Sequence, residues 1–168
     1  MGTANRAVYT TTSVGQTRAL GRRLARLLRA GDVVFLQGPL GAGKTALAQG
    51  VGQGLRLATP VSSPTFVLVA RYERDPEDEA TAGGPPLYHA DLYRLTDAEQ
   101  VVDLAVDRQA ADGILLVEWP ERGLQALPSD HLLVVLEPVE GGPKQRRITI
   151  VANGERYRRI LDGLGARG

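Results

Sequence analysis

Apolar residues change period repeatedly along this chain, and each change marks an expected element. Ala7 to Thr12 is rich in β-branched and aromatic residues and predicts a short first strand. From Thr17 to Arg29, Leu20, Leu24, Leu27 and Leu28 recur at helical spacing, with Ser13 as candidate N-cap and Gly31 as stop. Arg18, Arg22, Arg26 and Arg29 occupy the other side, a stripe that reads as a solvated face or a docking face. Asp32 to Gln37 reads as a buried strand and Lys44 to Gly54 as a helix. Val61 to Thr65 breaks the pattern, and Phe66 to Tyr72 resumes as a strand. Glu73 to Pro86 is acidic, rich in Gly and Pro and without apolar period, which predicts an exposed, mobile loop linking two strands. Leu87 to Asp91 and Gly113 to Glu118 follow as strands, separated by a helical region through Ala111. Thr96 is the expected cap of a helix beginning at Asp97, with Glu99 placed for a capping box. Val101, Val102, Leu104 and Val106 do not keep one face, so that region is interrupted or bent. His131 to Glu137 and Arg147 to Val151 form two more strands around a turn at Glu140 to Lys144. Glu155 to Leu164 closes the chain as a helix, and no internal repeat is visible.

Composition narrows the classes. The 168 residues suit one domain, 1–168, with a full core, and 43% hydrophobic with 23% charged residues is ordinary for a globular chain. A net charge of +1 argues against a surface that coats a polyanion, so any nucleic-acid role would be local or indirect. Without cysteine there is no disulfide, thiolate metal site or cysteine nucleophile. No signal-type apolar core opens the chain and no run approaches ~18 apolar residues, so a soluble cytoplasmic protein without a membrane role is expected.

The chemistry concentrates in Gly38-Pro39-Leu40-Gly41-Ala42-Gly43-Lys44-Thr45, which follows the apolar run Val33 to Leu36 and precedes a helix. It fits the phosphate-binding P-loop in its strand-then-helix setting. Gly38, Gly41 and Gly43 can adopt backbone angles closed to other residues, so successive N–H groups can turn around a phosphate. The next helix adds its free N–H groups and the positive end of its dipole. Lys44 would reach the β- and γ-phosphates of a nucleotide, and the Thr45 hydroxyl would be a ligand of Mg²⁺. Lysine occurs only as Lys44 and Lys144 in a chain that otherwise uses arginine, so a compact ammonium stands where a P-loop needs one.

Three further features support it. Gly113 to Glu118 is an apolar strand ending in a carboxylate, suited to hold Mg²⁺ beside a P-loop. Leu87 to Asp91 delivers a second carboxylate to a strand end. Thr65, with Ser62 and Ser63 nearby, is either a hydroxyl that senses a γ-phosphate or part of a Ser-Pro turn. Lys144, Arg146 and Arg147 form a small basic knot, for nucleotide, partner or solvent. His89 and His131 have no second ligand at metal spacing, and no serine-hydrolase element appears.

Beyond the P-loop, three strings carry a family resemblance: Ser63-Pro64-Thr65-Phe66, Tyr88-His89-Ala90-Asp91-Leu92-Tyr93-Arg94-Leu95, and Val117-Glu118-Trp119-Pro120-Glu121. With the P-loop, in this order, they resemble the bacterial ATPase family of tRNA threonylcarbamoyladenosine biosynthesis (TsaE type) over nearly the whole chain. The resemblance implies an α/β, three-layer P-loop NTPase fold with a small, mostly parallel sheet. It implies a weak Mg²⁺-dependent ATPase that assists the threonylcarbamoyl transferase complex acting on tRNA position 37. By position, Thr45 and Glu118 would be metal ligands, and Asp91 would orient or activate water or stand behind the metal. Thr65 would report on the γ-phosphate, Trp119 would pack near the site, and Thr17 and Lys144 are further candidates for the nucleotide pocket. The family often shows Leu-Gly where this chain has Leu104-Ala105, and the acidic loop 73–86 is longer than usual for it.

A small-molecule kinase using Asp91 as base, and a nucleotide-dependent binding module, are the rival readings. The kinase would need an acceptor pocket under an Arg-rich lid, whereas loop 73–86 is acidic and holds only Arg74. Any activating arginine would come from a partner, or from Arg94 or Arg147.

Overall fold

The apolar runs assemble into one sheet. The computed structural model describes residues 5–64 and 68–165. Along the chain come β1 (Arg6–Thr11), α1 (Val14–Ala25), β2 (Val33–Gln37), α2 (Lys44–Gly54), β3 (Val69–Tyr72) and β4 (Leu87–Asp91). Then follow α3 (Ala98–Leu104), α4 (Val106–Gln109), β5 (Ile114–Glu118), two 3₁₀ turns (Pro120–Arg122 and Leu124–Ala126), β6 (His131–Pro138), β7 (Arg146–Asn153) and α5 (Glu155–Gly165).

The strand order is β1-β7-β6-β2-β5-β4-β3. β6, β2, β5 and β4 run parallel, while β1, β7 and β3 add antiparallel pairings at the two sides. Chain length explains the division. β6 and β7 are joined by a short turn that allows only an antiparallel return, whereas β4 reaches β5 through α3 and α4. The parallel strands are covered on both faces, which is why Val34, Phe35 and Leu36 are at most 1% exposed. Alternation sends Val34, Leu36, Ile114 and Leu116 toward α1, α2 and α5, and Val33, Phe35, Leu115 and Val117 toward Val101, Val106 and Ala110 of α3–α4. The result is the expected three-layer α/β architecture.

Several boundaries differ from the sequence expectation, each for a local reason. α1 starts after the expected cap, with Gln16 N–H donating to Ser13 Oγ at 3.1 Å, but ends at Ala25 rather than Arg29. Beyond it, Arg29 N–H donates to Asp32 Oδ2 at 2.8 Å, a bond that turns the chain into β2, and Arg156 of α5 pairs with the same carboxylate at 2.7 Å. The basic stripe is partly spent on helix packing: Arg18 donates to Gln49 and Arg22 to Gln53, across the α1–α2 contact. There the backbones nearly touch, since a Cβ on Gly50 would stand 2.1 Å from Arg18 O. The cap of α3 is Asp97, not Thr96; its Oδ1 accepts from Gln100 N–H at 3.0 Å. Gln100, rather than Glu99, reaches back, accepting from Thr96 N–H at 2.8 Å. Loop 73–86 links β3 and β4 as expected and is exposed at its acidic tip. It is also tied down, with Arg74 donating to Pro85 O at 2.8 Å and Leu55 O at 2.7 Å.

Candidate functional site: a P-loop at the carboxyl ends of parallel strands

The loop after β2 is shaped by what it must pass. A Cβ on Gly38 would lie 2.5 Å from Leu136 O of β6, so only hydrogen fits there. Gly43 has φ +103° and leads into α2 without a side-chain cap among the described residues, which leaves the first N–H groups of that helix open to a ligand. Ala42 N–H donates to Pro39 O at 3.1 Å and closes the turn. From β7, Arg146 donates to Ala42 O (Nε, 2.9 Å) and Gly41 O (Nη2, 2.9 Å), and through Nη1 to Pro143 O and Gln145 O. In a trans peptide the N–H points opposite to the C=O, so holding these two carbonyls from one side sets the direction of the Ala42 and Gly43 N–H groups.

Lys44 is only 6% exposed. Its Nζ donates to Gly38 O and to Pro39 O (3.1 Å) and lies 4.1 Å from the centre of the Trp119 ring. Burial lowers its pKa below the ordinary lysine value, and the charges of Glu118, Glu121 and Asp91 act against that shift. Thr45 is half-buried in the first turn of α2.

Two carboxylates reach the same edge. Asp91 and Glu118 end β4 and β5 and are register partners. Glu118 is 3% exposed, and its Oε2 stands 2.7 Å from Nε2 of the fully buried His89. Asp91 is half-buried and its Oδ1 accepts from Tyr93 N–H at 3.0 Å. Burial raises the Asp91 pKa and Glu118 adds to that, while the Tyr93 N–H, His89 and Lys44 oppose it. Trp119 follows Glu118 with φ +57°, a strained backbone for a bulky side chain, and packs on Tyr93 at 4.8 Å between ring centres. Between these groups lies a cleft of about 190 Å³, lined by Leu40, Ser63, Pro64, Asp91, Arg94 and Trp119 among others.

The remaining sequence candidates spread out. Thr17 is buried behind the loop, hydrogen-bonded to Thr11 Oγ1 at 2.8 Å, and a Cβ on Gly43 would lie 3.8 Å from its methyl group. Lys144 is exposed on the β6–β7 turn, and Arg146 is the member of that basic knot that reaches the loop. Arg94 lines the cleft, whereas Arg147 is exposed on β7, in register with Thr10 and Glu137. Thr65 lies outside the described residues.

A family model described as threonylcarbamoyl adenosine biosynthesis protein TsaE matches residues 11–148. The chain belongs to the TsaE family. It is 43% identical over 143 residues to the tRNA threonylcarbamoyladenosine biosynthesis protein TsaE of Streptomyces coelicolor, covering 83% of this chain and 93% of that one. The Bacillus subtilis TsaE is 34% identical over 157 residues, covering 93% and 92%. Among solved structures, the crystal structure of Bacillus subtilis YdiB superposes with a TM-score of 0.77 at 28% identity, covering 99% of each chain.

Sequence reasoning missed one residue of this TsaE site, His89, and named a second, Arg146, only as one of a group. His89 carried a local signal, since it lies two positions before Asp91 on a strand and so shares its side of the sheet. Arg146 was named only within the basic knot of Lys144, Arg146 and Arg147, and nothing local singled it out as the member that reaches the loop. Hard oxygen donors suit Mg²⁺, which keeps several waters and takes one or two carboxylates together with phosphate oxygens. Glu118, with one oxygen held by His89 and Asp91 alongside, fits that demand. Among those residues no helix is long and apolar enough to cross a membrane.

Proposed function

We propose that this chain is a cytoplasmic, Mg²⁺-dependent ATPase that serves tRNA threonylcarbamoyladenosine biosynthesis by acting on the threonylcarbamoyl transferase complex, with tRNA contacted at most indirectly. The observation that carries the reading is the meeting of Gly38–Thr45, at the open N-terminus of α2, with Asp91 and Glu118 on adjacent strand ends. Family membership supports the pathway.

The loop amides and Lys44 bind the triphosphate of ATP. To do so, Lys44 exchanges its bonds to Gly38 O and Pro39 O for phosphate oxygens of opposite charge. Thr45 and Glu118 hold Mg²⁺, which when bound neutralises charge on the β- and γ-phosphates. Asp91 orients the attacking water at the mouth of the cleft, and its raised pKa makes it a better proton acceptor than an ordinary aspartate. Thr65 reports on the γ-phosphate; Thr17 and Lys144 complete the nucleotide pocket. Arg94 is the chain's own candidate for charge at the reacting phosphoryl group, with any further arginine supplied by the partner.

The test is calorimetry of ATP binding with Mg²⁺, joined to ATPase rates with and without the transferase complex. Lys44→Ala abolishes binding, Asp91→Ala binds but does not turn over, and the complex raises the wild-type rate. No association of wild-type protein with Mg·ATP would sink the ATPase reading; equal rates with and without the complex would sink the partner assignment.

A further inference from the structure

His89 is fully buried at the middle of β4, and its two ring nitrogens have unequal surroundings. Nε2 stands 2.7 Å from Glu118 Oε2, while Nδ1 is buried with no hydrogen-bond partner among the described residues. A proton on Nδ1 would have nothing to donate to; a proton on Nε2 meets a carboxylate. The surroundings therefore place the proton on Nε2, which donates to Glu118. Packing alone does not account for this residue. An unpaired polar atom in a dry core is unfavourable, and an aliphatic side chain opposite Leu116 would avoid that penalty.

We propose that His89 is a positioning residue for Glu118, holding one carboxylate oxygen so that the other is presented to the divalent cation that accompanies the nucleotide. This rests on the Mg²⁺–nucleotide reading above. The choice of an imidazole is chemically specific. Donating a single N–H orients the carboxylate and leaves its negative charge for the cation, whereas a lysine or arginine in that place would neutralise it. The strand geometry supplies the reach. Glu118 is in register with Asp91, so His89, two residues earlier on the same face, approaches its side chain on the diagonal.

The test pairs two amides of different reach. His89→Gln places an N–H close to where Nε2 stood, and His89→Asn has the same chemistry one methylene short. ATP affinity is measured by calorimetry with Mg²⁺ and with chelator, and the metal-dependent gain is the readout. Wild type and His89→Gln keep the gain; His89→Asn loses it by about 10–100-fold while chelator-treated affinity stays within about twofold. Nitrogen-15 spectra of the wild type show His89 protonated at Nε2 and bare at Nδ1. An unaltered metal-dependent gain in His89→Asn, an equal loss in both variants, or a proton on Nδ1 overturns the proposal. If wild-type protein binds ATP but with no metal-dependent gain, His89's role falls and nucleotide binding stands. If it binds no ATP at all, both readings fall.

Discussion

Arg146 shows how much one side chain can do for a loop that lies far from it in sequence. Its guanidinium spans the carbonyls of Gly41 and Ala42 while resting on those of Pro143 and Gln145, so the P-loop is clasped to the start of β7. Arg146→Met is expected to weaken nucleotide binding at least tenfold with the fold retained, and Arg146→Lys to recover little, because one ammonium cannot bridge both loop carbonyls in a plane. Titration in calorimetry checks this; wild-type affinity in the Met variant would exclude the clasp from binding. His131 makes a different prediction. It stacks on Phe35 at 4.0 Å, Asn153 donates to its Nε2 at 3.2 Å, and burial lowers its pKa below the ordinary value of 6.5. The unfolded chain therefore takes up a proton at higher pH than the native one does. Stability is complete above 6.5 and falls as the pH drops through 6.5 toward the lowered native value. Melting temperature followed over that window should decline, and less so in His131→Gln. Asp91 acts in the opposite sense at lower pH, because burial raises its pKa and protonation relieves the folded state.

Elements were legible where their signal is a period and illegible where it is a boundary. The strands β2 and β5 are buried on both faces and read as apolar runs, so their position followed directly. Helix ends did not. Leu27 and Leu28 keep helical spacing with Leu20 and Leu24, yet the chain has left α1 by Ala25 because Asp32 and Arg156 fix the approach to β2. Thr96 and Asp97 are both competent caps, and the choice fell to the residue whose carboxylate reaches Gln100 N–H. The break between α3 and α4 was anticipated from its scattered apolar positions, and its mechanism is Ala105 at φ +46° and ψ +45°. The family's frequent Leu-Gly pair at this point is the natural solution for a left-handed residue; here alanine adopts the same conformation at a cost of about 1 kcal/mol. Ala105→Gly is expected to raise the unfolding free energy by up to about 1 kcal/mol in urea titration, and a loss of stability would mean that the alanine methyl makes a contact worth more than the strain.

At the scale of the molecule, function depends on strand order. Because β2 lies between β6 and β5, and β4 lies beyond β5, the P-loop opens beside two strand ends that both carry carboxylates. The loop is bonded to β7 through Arg146, so a ligand there is coupled to the unfolding of the sheet. Mg·ATP at a hundred times its dissociation constant should add about 2.7 kcal/mol of stability and raise the melting temperature by several degrees. The shift should vanish in Lys44→Ala; a melting temperature that ignores Mg·ATP would argue against nucleotide binding.

By itself the sequence determined the strands, the P-loop with Lys44 and Thr45, and the two carboxylates at strand ends, because each is written in a run of neighbouring residues whose period or turn chemistry is local. The tertiary structure alone decided which residues meet: His89 with Glu118 across 29 positions, and Arg146 with Ala42 across 104. Such pairs depend on the order, register and facing side of strands, and those are settled only when distant segments bury their apolar faces against one another.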